Sequence, residues 1–184
     1  MKIITLGSQK IGHEFLTATE SQALLELCLD DTEKLDNSST LVGVVSEQIC
    51  LTRFSNIFHL FLDSKVKNYA LLENLPVNFY IKSCWYNIMR PGDFNPLHDH
   101  TGDLSFIVTF EPSKALYQEQ KSEDHRGRLW FYAPSEEGLI VGFSSFIGKS
   151  SFYIFRSTLD HAVYPFETDT VRYSLAGNLF FNNK

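Results

Sequence analysis

The chain has 184 residues, 43% hydrophobic and 14% aromatic, with 16 Phe and 8 Tyr. That length suits one domain whose core needs no staples, and the aromatic content favours sheet over a helix bundle. A net charge of -6 leaves no electrostatic footprint for nucleic acid or an anionic membrane, and no stretch approaches the ~20 apolar residues of a membrane helix.

Along the chain, Met1–Gly7 turns polar at once and lacks the apolar core of a signal peptide. Cys28, Cys50 and Cys84 are widely spaced, odd in number and without a CxxC pair. This excludes a zinc finger and a disulfide framework and predicts free thiols in a cytoplasmic protein. Helical signals cluster in residues 1–75: a first helix across residues 19–28, N-capped at Thr17 or Thr19, and a second containing Phe58–Leu62, Val66, Tyr69 and Leu72 that ends near Pro76. Between them, residues 30–40 read as a polar loop. From residue 77 the pattern shifts to short β-rich runs: 77–89, 104–110, 128–132, 138–146, 151–156 and 171–181. Turns such as Arg90-Pro91-Gly92-Asp93 and Ala133–Gly138 separate them, and no helix is expected between them. Such spacing predicts a β-sandwich or barrel. The charged segment 118–127 reads as a mobile flap. The expected organisation is a single domain, with residues 1–76 as a helical or mixed support region and 77–184 as the β core.

The chemistry concentrates in four residues. His98 and His100 flank Asp99, and on an extended strand residues two apart share a face. His161, in Leu159-Asp160-His161-Ala162-Val163, offers a third imidazole from a distant strand. Three such rings suit Fe(II), Zn(II) or Ni(II). A strand ending at His98 would instead let a turn aim Asp99 at the metal, giving two imidazoles and a carboxylate; the three-histidine set is preferred. Asp160 is a candidate acceptor that orients the His161 ring. Arg172 and Ser174 share one strand face beyond the last histidine, where guanidinium and hydroxyl can grip the distal carboxylate of a dicarboxylic acid. His13, His59 and His125 lack partners at ligand spacing and are assigned surface or structural roles. Trp85 and Trp130 are assigned to the core or rim.

These motifs resemble those of the 2-oxoglutarate/Fe(II)-dependent oxygenases, more narrowly a small family near the aspartyl/asparaginyl and prolyl hydroxylases. The residues carrying the resemblance are Trp85-Tyr86-Asn87, Pro91-Gly92, His98-Asp99-His100, Glu137-Gly138, His161-Ala162-Val163-Tyr164-Pro165 and Arg172-Tyr173-Ser174 with Asn178, across residues 80–182. The resemblance implies a mainly β, α+β protein whose core at 77–184 is a double-stranded β-helix, a jelly roll of cupin type. It also implies an oxidoreductase that hydroxylates an unidentified substrate, with a tilt toward a peptidyl side chain. Fe(II) would be held by His98, His100 and His161. 2-Oxoglutarate would sit on Arg172 and Ser174, with Asn87 and Asn178 as further contacts, and dioxygen would be consumed with release of succinate and CO2. The chain departs from the pattern at His100, where the superfamily usually carries Asp or Glu. Two alternatives are a cupin-like three-histidine metalloenzyme that does not use 2-oxoglutarate, and a metal-free β-sandwich binding module. Arg172 separates the first of these from an oxygenase, because such enzymes have no need of an arginine after the last ligand.

Overall fold

Strand alternation in the last β-run decides the layering. In β12 (Arg172–Phe181) Leu175 and Leu179 join the core beneath the helices, while Ala176 joins a second core on the opposite face. Arg172, Ser174 and Asn178 share that second face by the two-residue period of a strand. β7 (Leu104–Thr109) is buried at every position: Leu104, Phe106 and Val108 face the helices, and Ile107 faces inward. A strand covered on both sides needs a layer on each face. The computed structural model, which describes residues 1–30, 35–122 and 125–182, supplies both layers.

β5 (Phe79–Met89), β7, β10 (Ser151–Arg156) and β12 belong to a large antiparallel sheet. β6 (Asn95–His98), β8 (Leu129–Pro134), β9 (Ile140–Ser144) and β11 (Asp160–Val163) form a smaller sheet in the order β6-β11-β8-β9. The chain passes repeatedly between the two sheets, which makes the core a double-stranded β-helix. Phe131, Tyr153, Phe155, Ile107 and Leu129 fill the space between them.

The expected strand at 151–156 has the same bounds in the structure, and the others shift by one or two residues at one or both ends. The N-terminal region holds more strand than its helical signals suggest. β1 (Lys2–Leu6) and β2 (Gln9–Phe15) form a hairpin on one side of the large sheet, and β3 (Leu35–Asp36) and β4 (Glu47–Cys50) extend the other. Residues 31–34 of the expected 30–40 loop lie outside the described residues.

α1 (Ala18–Asp30) and α2 (Asn56–Leu72) cover the outer face of the large sheet. Thr17 starts α1 through a reciprocal capping box: its Oγ1 accepts from the Glu20 N–H at 3.2 Å, and its own N–H donates to Glu20 Oε2 at 2.9 Å. Ser55 caps α2 by accepting from the Phe58 N–H. Leu24, Cys28, Phe58, Leu62, Val66 and Tyr69 then pack on Phe106, Phe152, Ile154 and Leu175. No helix among the described residues is long and apolar enough to cross a membrane.

The expected flap at 118–127 is corrected in its first half, which belongs to α3 (Lys114–Ser122); residues 123–124 lie outside the described residues. This helix also overturns the expectation of strands without intervening helices. Its polar sequence conceals the reason it is ordered. Leu116 and Gln120 are buried, and Glu119 accepts from the backbone N–H groups of Glu167 and Thr168. α3 therefore anchors the turn that leads into β12.

His13 has the structural role expected of it, in the interior rather than at the surface. It is 4% exposed, packs against Phe15, Phe146 and Tyr153, and lies 3.3 Å from Ser151 Oγ. Burial, reinforced by Lys2, pushes its pKa down to about 4. A base whose folded pKa is depressed contributes stability above its unfolded value near 6.5, and that contribution disappears as pH falls toward 4. In metal-free protein, thermal unfolding of His13→Phe followed from pH 7 to 4 is therefore expected to show a flatter decline than the parent. The difference should reach at most ~1.4 kcal/mol per pH unit. Parallel declines would exclude this role for His13.

Candidate metal centre

His98 and His161 meet because β6 and β11 pair with these two residues directly opposite each other. Facing residues on neighbouring antiparallel strands bring their side chains together on one side of the sheet. Their ring centroids are 4.3 Å apart. His100 arrives differently from the alternation expected of it, since β6 ends at His98. The backbone N–H of His100 donates to Ser157 O at 2.9 Å, and the Trp85 ring meets its face edge-on at 5.4 Å. The His100 ring thereby lies 4.9 Å from each of the other two. One nitrogen from each ring is within 4.8 Å of the other two, and Asp99 is not in the cluster. Although the strand ends where an inward turn of Asp99 would require, Asp99 is exposed.

The hydrogen bonds set the tautomers. Pro96 O lies 2.7 Å from His98 Nδ1, and Leu159 O lies 3.0 Å from His161 Nδ1. A carbonyl only accepts, so each Nδ1 carries the proton and each Nε2 keeps its lone pair. Asp160, the expected orienting group for His161, is exposed, and Leu159 O takes that position instead. Burial lowers the pKa of His100 to about 4 and that of His161 to about 3. Both rings are held neutral, the form that ligates. Converging imidazole nitrogens repel one another unless a cation lies between them, and this donor set fits a divalent first-row metal, Fe(II) included.

The three rings line a cavity of about 470 Å³ that also contains Arg172, Ser174, Asn87, Gln48 and Trp85. Arg172 is 7% exposed, and burial brings its pKa down to about 10. Its Nη1 donates to Met89 Sδ at 3.2 Å, and among the described residues no carboxylate forms an ion pair with it. Beside it runs a polar row across three strands. Gln48, Asn87 and Ser174 are register partners on β4, β5 and β12. Gln48 Nε2 donates to Asn87 Oδ1 at 3.1 Å, and Asn87 Nδ2 donates to Ser174 Oγ at 3.4 Å. Ser174 thus accepts from the row and keeps its own proton for the cavity.

Asn178, the other candidate contact, does not line this cavity. Its Oδ1 accepts from Ser105 Oγ at 2.9 Å instead. His59 and His125 are exposed, away from the cluster. Trp130 stacks with Tyr132 outside the cavity, while Trp85 forms part of its wall. Gln48, Leu41 and Val42, none of them foreseen from the sequence, also line the cavity. Gln48 is placed there by its pairing with Asn87 on β5, and Leu41 and Val42 lie just before the Val44–Phe94 bridge; no local motif marks them.

No curated protein matches the chain in sequence. Among solved structures it is similar to a Pseudomonas putida prolyl-4-hydroxylase, at 17% identity and TM-score 0.61, covering 97% of this chain and 95% of that one. It is also similar to a Trichoplax adhaerens prolyl hydroxylase in complex with a hypoxia inducible factor peptide fragment (15% identity, TM-score 0.56, 92% and 81% covered). A third similar structure is HygX from Streptomyces hygroscopicus with nickel and 2-oxoglutarate bound (8% identity, TM-score 0.58, 95% and 83% covered). At these identities the likeness establishes the double-stranded β-helix alone. The family model described as "Putative 2OG-Fe(II) oxygenase" matches residues 83–178, more than half of the chain and the stretch that carries the histidines and Arg172. The chain belongs to this family of 2-oxoglutarate- and Fe(II)-dependent oxygenases.

Proposed function

We propose that the protein is a hydroxylase in which His98, His100 and His161 hold Fe(II) and Arg172 and Ser174 bind the distal carboxylate of 2-oxoglutarate. Asn87 orients the Ser174 hydroxyl. When bound, iron and 2-oxoglutarate supply the oxidative chemistry: dioxygen is reduced, a substrate C–H becomes C–OH, and succinate and CO2 leave. The protein's own part is placement. The Pro96 and Leu159 carbonyls fix two ligand tautomers, and Trp85 walls the cavity beside His100. The observation that carries the reading is a buried guanidinium with no anionic partner among the described residues, sharing one cavity with three converging imidazoles. A diacid that chelates a metal at one end and presents a carboxylate at the other satisfies both.

The substrate in this proposal is a side chain on a peptide. Its support is an open rim where Val42 and Leu97 are exposed beside the cavity, together with the peptide held by the similar Trichoplax enzyme. Residues 1–76 and 77–184 act as one domain, the first supporting the second, and the free thiols of Cys28, Cys50 and Cys84 suit a reducing, cytoplasmic setting. The test is anaerobic titration of the metal-free protein with Fe(II) and then 2-oxoglutarate. A weak visible charge-transfer band of the chelate is expected at one equivalent of each; a metal-replete protein that never develops the band would remove this reading.

A further inference from the structure

We propose that Asn178 is a positioning residue for the metal centre, acting on His100 through two buried serines. Resting on the reading of His100 as a ligand, the proposal assigns Asn178 a task other than contact with the co-substrate. His100 needs such support because it lies beyond the end of β6, where no strand ladder fixes it. Its backbone N–H is held by Ser157 O at 2.9 Å, so the position of the ring depends on the turn that contains Ser157.

That turn is anchored by a chain of hydroxyls. Ser157 Oγ lies 2.9 Å from Ser105 Oγ, and Ser105 Oγ lies 2.9 Å from Asn178 Oδ1. Ser157 and Ser105 are at most 1% exposed and Asn178 is 8% exposed. A hydroxyl has one proton. Ser105 donates its proton to the amide oxygen, so Ser157 must be the donor between the two serines. The chain has one direction, Ser157 to Ser105 to Asn178, and the Asn178 oxygen terminates it. The same turn is approached by Gly102, whose φ of 144° lies in the region that favours glycine; a Cβ there would come within 3.0 Å of Ser157 Oγ and 3.2 Å of Leu179 O. The 99–103 loop is further held where Asp103 N–H donates to Leu179 O and Asp103 Oδ2 accepts from the Phe181 N–H. β12 thus contributes at both ends of its inner face: Arg172 faces the cavity, and Asn178 braces the segment that presents His100.

The experiment is Co(II) or Ni(II) affinity by calorimetry without 2-oxoglutarate, beside thermal unfolding of the metal-free protein, for Asn178→Leu, Asn178→Asp and Ser105→Ala. Asn178→Leu removes the terminal acceptor at similar volume, and metal affinity is expected to fall ~10- to 100-fold, the range for groups that orient a ligand from outside. Asn178→Asp keeps an acceptor oxygen and should retain most of the affinity. Ser105→Ala breaks the same chain, so combining it with Asn178→Leu should add little to either change alone. Should Asn178→Leu fail to fold, Ser105→Ala carries the test. Parent-like metal affinity in folded Asn178→Leu, or in Ser105→Ala, overturns the proposal. Failure of the underlying reading looks different: His100→Ala itself would then keep its metal.

Discussion

Arg172→Ala is expected to lose most 2-oxoglutarate binding while metal affinity stays at the parent level. In the free protein the guanidinium is desolvated, with a sulfur as its hydrogen-bond acceptor at 3.2 Å and its pKa brought down to about 10 by burial. Such a group is an expense to the fold unless a ligand supplies the counter-charge, because a buried ion without a partner is strongly disfavoured. Arg172→Met, which fills similar space without charge, should therefore leave the ligand-free melting temperature unchanged or raise it. Truncating one member of a buried, hydrogen-bonded charge pair weakens binding by ~2–5 kcal/mol, or roughly 30-fold to several thousand-fold in Kd. Arg172→Lys should fall between, since an ammonium keeps the charge but lacks the two-pronged geometry a carboxylate matches. Calorimetric titration of 2-oxoglutarate into the Ni(II)-loaded variants measures this, with the metal titration as the control for folding. A parent-like 2-oxoglutarate affinity, or a persistent chelate band, in Arg172→Ala would place the carboxylate clamp elsewhere.

What could be read from the residues beforehand divides by the range of the interaction responsible. The strand at 151–156 was legible because Phe152 and Ile154 pack under the helices while Tyr153 and Phe155 pack between the sheets, leaving a continuous apolar run between polar ends. α1 was legible through Thr17 and Glu20, a capping pair three residues apart. The histidines and Arg172 stood out because few residue types do their chemistry. β1 carries the β-branched Ile3, Ile4 and Thr5 but is too short to stand out without its hairpin with β2, and Glu47–Cys50 is held by β5 and β3 rather than by local preference. For the same reason Gln48 gave no sign of facing Asn87. α3 was obscured by its charge, as its order comes from Glu119 reaching a turn 48 residues away. Asn178 shows the limit of alternation arguments. It shares a face with Arg172 and Ser174, yet it ends on Ser105 and outside the cavity, because the face extends past the cavity wall.

The second large effect concerns which residue completes the ligand set. His100→Ala is expected to lower Fe(II) affinity by more than ~100-fold, beyond the range for groups that merely orient a ligand, while Asp99→Ala stays near the parent. Strand alternation would bring His100 to the same face as His98 only if the strand continued through it, and the strand stops at His98. What supports His100 instead is the backbone bond to Ser157 and the edge contact from Trp85, which aim the ring at His98 and His161. The exposed Asp99 side chain could join the centre only by breaking that backbone bond and turning the 99–103 loop, whose Asp103 N–H is itself tied to Leu179 O. In the proposed ligand set, removing Asp99 takes away no ligand, whereas removing His100 leaves two imidazoles. A metal titration of both variants, with thermal unfolding as the folding control, separates the two assignments. If Asp99→Ala lost the metal and His100→Ala kept it, the loop would have to rearrange when metal binds, and the carboxylate usual in this superfamily would be restored as the second ligand.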